Sequence, residues 1–434
     1  MKLFGSSKIV NGVLNIGGVS VEKLREEYGT PLYIMDQKLM EENIEKYKKY
    51  FVSDKFDTQI IYATKAFLSV GMCQFVERFG IGMDAVSDGE LFTIKHSGFD
   101  MKNIYMHGNN KSDTELEMCI DYGVGTIIVD NFDELKRLEE ICEIKGAKVK
   151  ALLRVNPGIE AHTHEYIKTS KDSSKFGESI YEEKIYEIVK EFQKSQYVEL
   201  LGFHCHIGSQ IFDTKAFYEE IETMIKFLKE IKEKLNFDTR YLNLGGGFGI
   251  YYVEGDRELD IPVVMKKMIE ILEEKTEEYN ISLERVIIEP GRSIVGNAGT
   301  TIYTVGGTKV THSGKKYIFV DGGMADNIRP ALYQAEYEGC IANKMNETDM
   351  EEVTVAGKCC ESGDMLIKDT MFTKAEKGDI LAVATTGAYN YSMASNYNRL
   401  RKPAVVLVKE GKSKLLIRRE SYEDLIKTDM DFKD

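Results

Sequence analysis

A regular alternation of short apolar runs with helical segments is the feature that most constrains the fold of this chain. The runs occur eight times between about Gln59 and Pro290, at residues 60–63, 81–84, 104–106, 126–129, 151–155, 200–204, 241–244 and 286–288. The segments between them have helical periodicity, and apolar residues from Phe217 to Leu235 form a stripe with a repeat of about 3.6 residues. Apolar strands that alternate with helices predict a parallel sheet covered by helices. Eight such units favour a (β/α)8 TIM barrel over an open sheet of eight strands.

The pattern changes after about Asn297, where strands follow one another without helices between them. Residues 316–320, 353–356, 380–384 and 404–408 are predicted strands, and residues 404–418 are a predicted hairpin. A strand-like segment at residues 9–14 precedes the barrel, and because chain ends often lie close together we expect it to complete this C-terminal β domain. The predicted domains are a barrel of residues 37–296 and a β-sandwich or β-barrel-like domain of residues 1–36 and 297–434.

Composition excludes several classes of protein. Lys and Arg number 57 and Asp and Glu number 71, so the net charge is −14. This charge argues against nonspecific nucleic-acid binding, which draws most of its energy from neutralised phosphates. No segment approaches the ~20 apolar residues of a membrane span, and the N-terminus lacks a signal-peptide core. The odd count of seven cysteines in a chain of this length indicates a reducing compartment. We therefore expect an unexported, cytoplasmic protein that binds neither nucleic acid nor membrane.

Polar residues concentrate where the predicted strands end, which is where a barrel carries its chemistry. Lys65 follows the first strand; if buried, its pKa would fall and its free amine could form a Schiff base, whereas an exposed lysine would simply begin the next helix. Glycines 245–247 follow the seventh strand and form either an anion-binding backbone or a tight turn. Glu289 and Arg292 follow the eighth strand. They could face a heteroaromatic nitrogen and a phosphate or carboxylate, or form a surface ion pair.

Two histidines end the sixth strand, His204 and His206, and they are predicted to point to the same face. They could bind a metal ion, or one ring could stack on a flat cofactor while Ser209 contacts a phosphate. The metal site lacks an obvious third ligand, so we place it second and predict no metal. His107, after the third strand, is assigned no catalytic role.

The β domain carries three further polar clusters. Arg329 and Tyr333 lie in the first, and Tyr389 lies in the last. The middle cluster contains the adjacent Cys359 and Cys360, which lack the spacing of a metal site. A thiol flanked by acids is a candidate proton donor because its pKa would stay high, although either cysteine could equally be structural.

Taken together, these motifs resemble those of the group IV, alanine-racemase-like PLP-dependent decarboxylases, most closely those that act on meso-diaminopimelate. The resemblance runs from about Thr30 to Arg401 and rests on Tyr389 and on the segments 62–66, 204–210, 245–247, 289–292, 329–333 and 360–364. Their order and spacing on eight strands make the set specific. One departure is that the family usually has Gly-Pro before the cysteine segment, where this chain has Gly357, Lys358 and Cys359.

The resemblance implies a role for each matching residue. Lys65 would bind pyridoxal 5'-phosphate (PLP) as a Schiff base, His206 would stack on its ring, and Glu289 would keep its pyridine nitrogen protonated. The other cofactor-binding residues would be Asp84, Ser209, Gly246, Gly247, Gly291, Arg292 and Tyr389. The substrate-binding residues would be Arg292, Arg329, Tyr333, Glu361 and Tyr389. Cys360 would reprotonate the α-carbon, and in the family its segment enters the active site of a partner subunit, which implies a homodimer with shared active sites.

The implied reaction is the decarboxylation of meso-2,6-diaminopimelate to L-lysine and CO2, the last step of lysine biosynthesis. A related decarboxylase for ornithine, arginine or carboxynorspermidine is the alternative, but Glu361, Arg329 and Tyr333 favour a substrate whose far end is itself an amino acid. A racemase is disfavoured because that relative uses a tyrosine where this chain has Cys360. Two further alternatives belong to other classes. A PLP carrier without catalytic activity would need only the barrel domain. A metal hydrolase would lose its activity when a chelator removes the metal ion.

Overall fold

The computed structural model describes residues 1–159 and 174–432, which form two compact units. One unit contains Ile44–Ile250 and Arg257–Ser293, and the other contains Met1–Asn43, Tyr251–Asp256 and Ile294–Asp434. These limits differ by a few residues from the predicted domains, whose division at residues 37 and 296 stays a prediction. Among the described residues, no helix combines the length and the apolar character needed to span a membrane.

The N-terminal segment begins with a small antiparallel sheet. Its elements are β1 (Lys8–Val10), β2 (Val13–Ile16), β3 (Val19–Ser20), α1 (Val21–Tyr28), β4 (Leu32–Asp36) and α2 (Gln37–Tyr50). β1 and β2 form a hairpin whose turn is Asn11-Gly12, with φ values of 52° and 79°. The predicted single strand over residues 9–14 is therefore wrong, because Asn-Gly is a strong signal for a two-residue turn.

A closed barrel of eight parallel strands forms the core of the larger unit. The strands of this unit are β5 (Asp57–Tyr62), β6 (Gly82–Ala85), β7 (Ile104–Met106), β8 (Thr126–Val129), β9 (Val149–Asn156), β10 (Glu178–Ser179), β11 (Val198–His204), β12 (Tyr241–Asn243) and β13 (Arg285–Ile288). β10 pairs only with the end of β9, and the other eight strands pair in succession. β13 pairs with β5 from Arg285↔Asp57 to Ile288↔Ile60, which closes the barrel. The predicted (β/α)8 barrel is confirmed, and each predicted strand overlaps an observed one.

Helices follow the barrel strands, and their sequences explain where they begin and end. They are α3 (Val70–Glu77), α4 (Asp88–Ser97), α5 (Asp113–Tyr122), α6 (Phe132–Lys145), α7 (Lys184–Lys194), α8 (Thr214–Leu235) and α9 (Ile261–Glu278). In α8, the Asp213 side chain accepts a hydrogen bond from the Lys215 N–H, and Asn236 ends the helix in the left-handed conformation. The predicted stripe of α8 is buried except at Leu235. Each large buried side chain stabilises the helix packing by about 1.5–3 kcal/mol.

The second unit is a mixed β domain. The short helix α10 (Arg292–Val295) begins in the barrel unit and ends in this one. The elements that follow it are β14 (Gly299–Val310), β15 (Lys316–Val320), α11 (Arg329–Tyr333), β16 (Gly339–Ile341), β17 (Met350–Ala356), β18 (Met365–Thr373), β19 (Ile380–Ala384), β20 (Ala404–Lys409), β21 (Lys412–Ile417) and α12 (Tyr422–Ile426). The sheet order is β18-β17-β15-β14-β4-β20-β21, with β19 also paired to β14. Because β4 lies between β14 and β20, the N-terminal segment completes this domain as predicted.

Candidate active site

Lys65 lies in a single 3-10 turn, Thr64–Ala66, directly after β5. The Thr64 backbone N–H and hydroxyl both donate to Oδ1 of Asp84 at the end of β6, at 2.7 and 2.9 Å. Thr64 and Ala66 are buried, but Lys65 is exposed, so of the two environments considered for this lysine the exposed one is observed. Asp84 therefore fixes a turn that presents an accessible amine.

A second carboxyl group, Glu90, lies near the same turn and was not singled out by the sequence analysis. Burial and the charge of Asp84 raise the pKa of Glu90 to about 7, while the charge of Lys65 opposes this effect. Its Oε2 accepts a hydrogen bond from the Val86 N–H at 2.7 Å. Burial also raises the pKa of Asp84, which is likewise opposed by Lys65. The carboxyl groups of Asp84 and Glu90 thus both interact electrostatically with Lys65.

Glu289 is buried after β13 and is hydrogen-bonded to three side chains. His107 Nε2 and Asn243 Nδ2 lie 2.9 and 2.8 Å from Oε1, and His204 Nε2 lies 3.2 Å from Oε2. Burial alone would raise the pKa of Glu289, but the interactions with the two histidines lower it well below its usual range. Glu289 is one of the residues predicted from the sequence, whereas Asn243 is not, and His107 was predicted to have no catalytic role. A polar residue that ends an apolar barrel strand is the signal that identifies Asn243.

His107, His204 and Glu289 also form a set of three potential metal donors, whose nearest ligand atoms lie within 4.8 Å of one another. The sequence analysis instead considered His204 and His206 as the metal pair and found no third ligand. Those two rings make different contacts: His204 contacts Glu289, whereas Nδ1 of His206 accepts a hydrogen bond from the Gly246 N–H at 3.3 Å. Hydrogen bonds therefore account for the close approach of His204 to Glu289 without a metal ion.

The glycine segment 245–247 makes close backbone contacts that no larger residue would allow. A Cβ at Gly246 would lie 2.2 Å from the Glu289 carbonyl oxygen, and a Cβ at Gly247 would lie 2.4 Å from the Gly208 carbonyl oxygen. Gly247 also has a φ of 105°. His206 lies against this segment, because a Cβ at Gly245 would lie 2.9 Å from its Nδ1. The segment is thus more than a tight turn, since it joins the ends of β11, β12 and β13.

Arg292 and Ser209 lie next to each other among the strand ends of the barrel. The Arg292 guanidinium donates to the Ser209 hydroxyl at 2.9 Å and is itself buried. Gly291, which precedes this arginine, allows close packing against β5, because a Cβ there would lie 2.8 Å from that of Ala63. A buried guanidinium beside a hydroxyl can bind a phosphate or carboxylate oxygen. The surface ion pair between Glu289 and Arg292 is excluded, because both residues are buried.

In the β domain, Arg329 begins α11 and lies among tyrosine rings. Its guanidinium carbon is 5.3 Å from the ring centre of Tyr333, 5.7 Å from that of Tyr389 and 6.0 Å from that of Tyr252. Its Nε donates to the Tyr337 hydroxyl at 2.9 Å. The structure therefore brings the three predicted residues of this domain together and adds Tyr252 and Tyr337, which carry no motif of their own. Such an arginine keeps its charge and planar orientation for a carboxylate.

The cysteine segment lies between β17 and β18 and is held by Asp364. The Asp364 carboxylate accepts hydrogen bonds from the N–H groups of Met324 and Cys359, at 2.7 and 2.8 Å. Cys359 is buried, which raises its pKa to about 11, whereas Cys360 and Glu361 are exposed. Exposure thus distinguishes the two adjacent thiols and leaves Cys360 as the accessible one.

The chain is similar to known proteins along its whole length. Residues 37–296 match the family model described as the pyridoxal-dependent decarboxylase, pyridoxal binding domain. The diaminopimelate decarboxylase of Bacillus subtilis (strain 168) is 48% identical over 434 residues, which cover 100% of this chain and 99% of that protein. The diaminopimelate decarboxylase of Halalkalibacterium halodurans is 47% identical over 431 residues, with coverages of 99% and 98%.

Solved structures give the same result. The crystal structure of a diaminopimelate decarboxylase from M. jannaschii in complex with L-lysine has a TM-score of 0.90 to this chain at 33% identity, over 98% of both chains. The resemblance of the sequence motifs is therefore confirmed by sequence and by fold. The chain belongs to the PLP-dependent decarboxylases and, within them, to the diaminopimelate decarboxylase family.

Proposed function

We propose that this protein decarboxylates meso-2,6-diaminopimelate to L-lysine and CO2 with PLP as its cofactor, as the last step of lysine biosynthesis. The observation that carries the proposal is similarity over the full length to diaminopimelate decarboxylases, at up to 48% identity in the relatives described above. It is supported by a relative of the same fold that was solved in complex with L-lysine, the product expected here. The matching motifs lie at strand ends or in loops, where side chains can reach a bound molecule, apart from residues 329–333, which form α11.

The barrel residues fit PLP. Lys65 offers an accessible amine for the covalent attachment, and the Asp84 hydrogen bonds to Thr64 hold its turn in place. Ser209 and Arg292 supply donors for a phosphate, next to glycines whose backbone can approach closely. When bound, PLP supplies an electron sink that takes up the electron pair left on the α-carbon as CO2 departs.

Several side chains of this chain would contact the cofactor ring or hold and take up protons near it. His206, which lies against the glycine segment, would pack on the ring, and burial lowers its pKa well below the usual range, so it stays neutral there. Glu289 would hold a proton on the pyridine nitrogen through its carboxylate. Glu90, whose pKa of about 7 is influenced by the charge of Lys65, is a candidate to take up a proton near this lysine.

Substrate recognition is assigned to the β domain, together with Arg292 from the barrel. Arg329 would bind the distal carboxylate, aided by Tyr333 and Tyr389, and Glu361 would bind the distal ammonium group. The tyrosines around Arg329 support this role because they fix the plane of the guanidinium. An ornithine decarboxylase needs no such carboxylate site, so turnover of diaminopimelate compared with ornithine and arginine tests the alternative.

Cys360 is the proposed proton donor to the α-carbon, and the adjacent cysteine provides a matched control. We expect Cys360→Ser to lower kcat about 10²- to 10⁴-fold, the usual contribution of general acid catalysis. We expect Cys359→Ser to keep most of the activity, because that thiol is buried and cannot reach a bound substrate as the exposed Cys360 can. The opposite pattern in lysine release would assign the proton donor to Cys359.

A homodimer with shared active sites, located in the cytoplasm, completes the proposal. It is supported by the exposure of Cys360 and Glu361 in the single chain, since a catalytic thiol requires a covered environment. Mixing the inactive variants Lys65→Ala and Cys360→Ala after dissociation and reassembly should restore part of the activity, because a mixed dimer keeps one intact site. If light scattering shows a monomer, or the mixture stays inactive, the shared site is wrong.

A further inference from the structure

The hydrogen bonds around Glu289 indicate whether its carboxyl group is ionised. Three side chains from the ends of β7, β11 and β12 surround one carboxyl group: Asn243 donates to Oε1, and Nε2 of His107 and of His204 lies at hydrogen-bond distance from Oε1 and Oε2, where each ring donates when that nitrogen carries its proton. With both rings donating, a protonated Glu289 would have to use one oxygen as a donor, and at least one of these contacts would then lose its acceptor. The arrangement therefore fits a carboxylate.

His204 shows which nitrogen carries its proton. Its side chain is 1% exposed, and burial lowers its pKa to about 4, so the ring is neutral at neutral pH. Its Nδ1 has no hydrogen-bond partner among the described residues, whereas its Nε2 lies 3.2 Å from Glu289. The single proton of a neutral ring is best placed on Nε2, from which it is donated to the carboxylate. His204 thus stabilises a negative charge on Glu289 without adding a positive charge.

The other charged groups near Glu289 act in both directions. The Arg154 charge interacts favourably with it, and the Asp84 charge interacts unfavourably. His206, two residues after the end of β11, interacts with Glu289 and is kept neutral by burial, and Cys205 is kept protonated by burial. Neither of these two supplies a charge to Glu289. The three direct donors therefore remain the groups that compensate most directly for burying the Glu289 carboxylate.

Asn243 also connects Glu289 to the glycine segment. Its Nδ2 donates to Glu289 at 2.8 Å, and its Oδ1 accepts a hydrogen bond from the Gly245 N–H at 2.9 Å. One side chain thus fixes both the carboxylate and the backbone proposed to lie near the cofactor phosphate. His107 and His204 contact only the carboxylate end of this arrangement.

We propose that His107, His204 and Asn243 are positioning residues that keep Glu289 ionised and oriented toward the pyridine nitrogen of the bound cofactor. This inference rests on the proposed function, because the pyridine ring is part of PLP. It predicts different effects for the two histidines and for Asn243. The loss of either histidine donor should change the protonation of the ring nitrogen, whereas the loss of Asn243 should also weaken cofactor binding through the glycine segment.

The test compares His107→Leu, which removes the donor, with His107→Gln, whose amide nitrogen can replace Nε2. Each protein is loaded with PLP labelled with ¹⁵N in the ring, and the ¹⁵N chemical shift reports directly whether that nitrogen is protonated. We expect a protonated ring nitrogen in the unchanged protein and in His107→Gln, and a loss of protonation at lower pH values in His107→Leu. The kcat of His107→Leu should fall about 10- to 100-fold with little change in KM, a magnitude typical of residues that orient a functional group.

A cofactor analogue with carbon in place of the ring nitrogen separates this role from a general structural one. With the analogue, His107→Leu and the unchanged protein should have equal kcat, because the nitrogen that Glu289 serves is absent. Thermal melting checks that the variants fold. If the unchanged protein binds no PLP, the proposed function is wrong. If it binds PLP with a protonated nitrogen and His107→Leu alters neither the ¹⁵N shift nor kcat, the positioning role alone is wrong.

Discussion

Replacing Glu220 by glutamine should change the pH dependence of stability in a direction that the structure fixes. Glu220 lies on the buried face of α8, and its Oε1 is 3.2 Å from the Cys205 thiol. Its Oε2 has no hydrogen-bond partner among the residues that the structure describes. Burial raises the pKa of Glu220 to about 8, so the folded protein keeps this carboxyl protonated at neutral pH.

The magnitude follows from proton linkage. The unfolded chain releases this proton near pH 4.5, whereas the folded protein releases it near pH 8. The contribution to stability is therefore complete below pH 4.5 and is lost as the pH rises to about 8. Each pH unit in that window lowers the free energy of unfolding by about 1.4 kcal/mol, which amounts to about 5 kcal/mol over the whole window. Glutamine has nearly the same shape and cannot ionise, so Glu220→Gln should not show this loss.

Thermal melting of the variant and the unchanged protein at a series of pH values measures the effect. The two melting temperatures should be similar at pH 5, and the variant should melt higher at pH 8.5, by on the order of 10 °C. Glu219→Gln is the matched control, because Glu219 is the exposed neighbour on the same helix and should give a constant difference. A Glu220→Gln difference that is the same at pH 5 and pH 8.5 would show that Glu220 ionises normally in the folded protein.

Three further predictions follow from contacts within the two units. Lys111→Met should lower the free energy of unfolding by about 3–5 kcal/mol, because it leaves the buried Glu134 carboxylate without the ammonium 2.7 Å away. Urea unfolding should show a smaller loss of stability for the double variant that also carries Glu134→Leu. Gly246→Ala should weaken PLP binding, since its Cβ would lie 2.2 Å from a carbonyl oxygen. The control Gly89→Ala should leave a PLP titration unchanged, because the added Cβ makes only an ordinary contact at 3.9 Å. Arg329→Lys should raise the KM for diaminopimelate about tenfold or more without weakening PLP binding, because lysine lacks the planar group held by the tyrosines.

The barrel was predictable from sequence because each of its strands is a local apolar run with a helix after it. The predicted limits of the strands at residues 104–106 and 126–129 agree fully with β7 and β8. The β domain was predicted only in part. β14 was missed because Gly306 and Gly307 interrupt its pattern, where the ladder to β15 shifts register. β4 was also missed, since its five buried residues give no alternation that marks a strand in a mixed sheet.

The candidate site divides in the same way. Residues in compact motifs, such as Lys65, Glu289 and Arg329, were found from the sequence. Asn243 and His107 were missed as partners of Glu289 because hydrogen bonds between strand ends join residues far apart in the chain. The sequence left open whether Lys65 is buried or exposed, because this depends on the local turn: the 3-10 turn buries Thr64 and Ala66 on either side and leaves the lysine side chain exposed.

The most direct test of the account is product analysis with meso-diaminopimelate in D₂O. The purified protein, loaded with PLP, should release CO2 and an equal amount of L-lysine that carries one deuterium on the former α-carbon, seen by mass spectrometry and NMR. The single deuterium is expected because the solvent-exchanged thiol of Cys360 delivers one proton equivalent. A protein that binds PLP and releases neither CO2 nor lysine from this substrate would contradict the account.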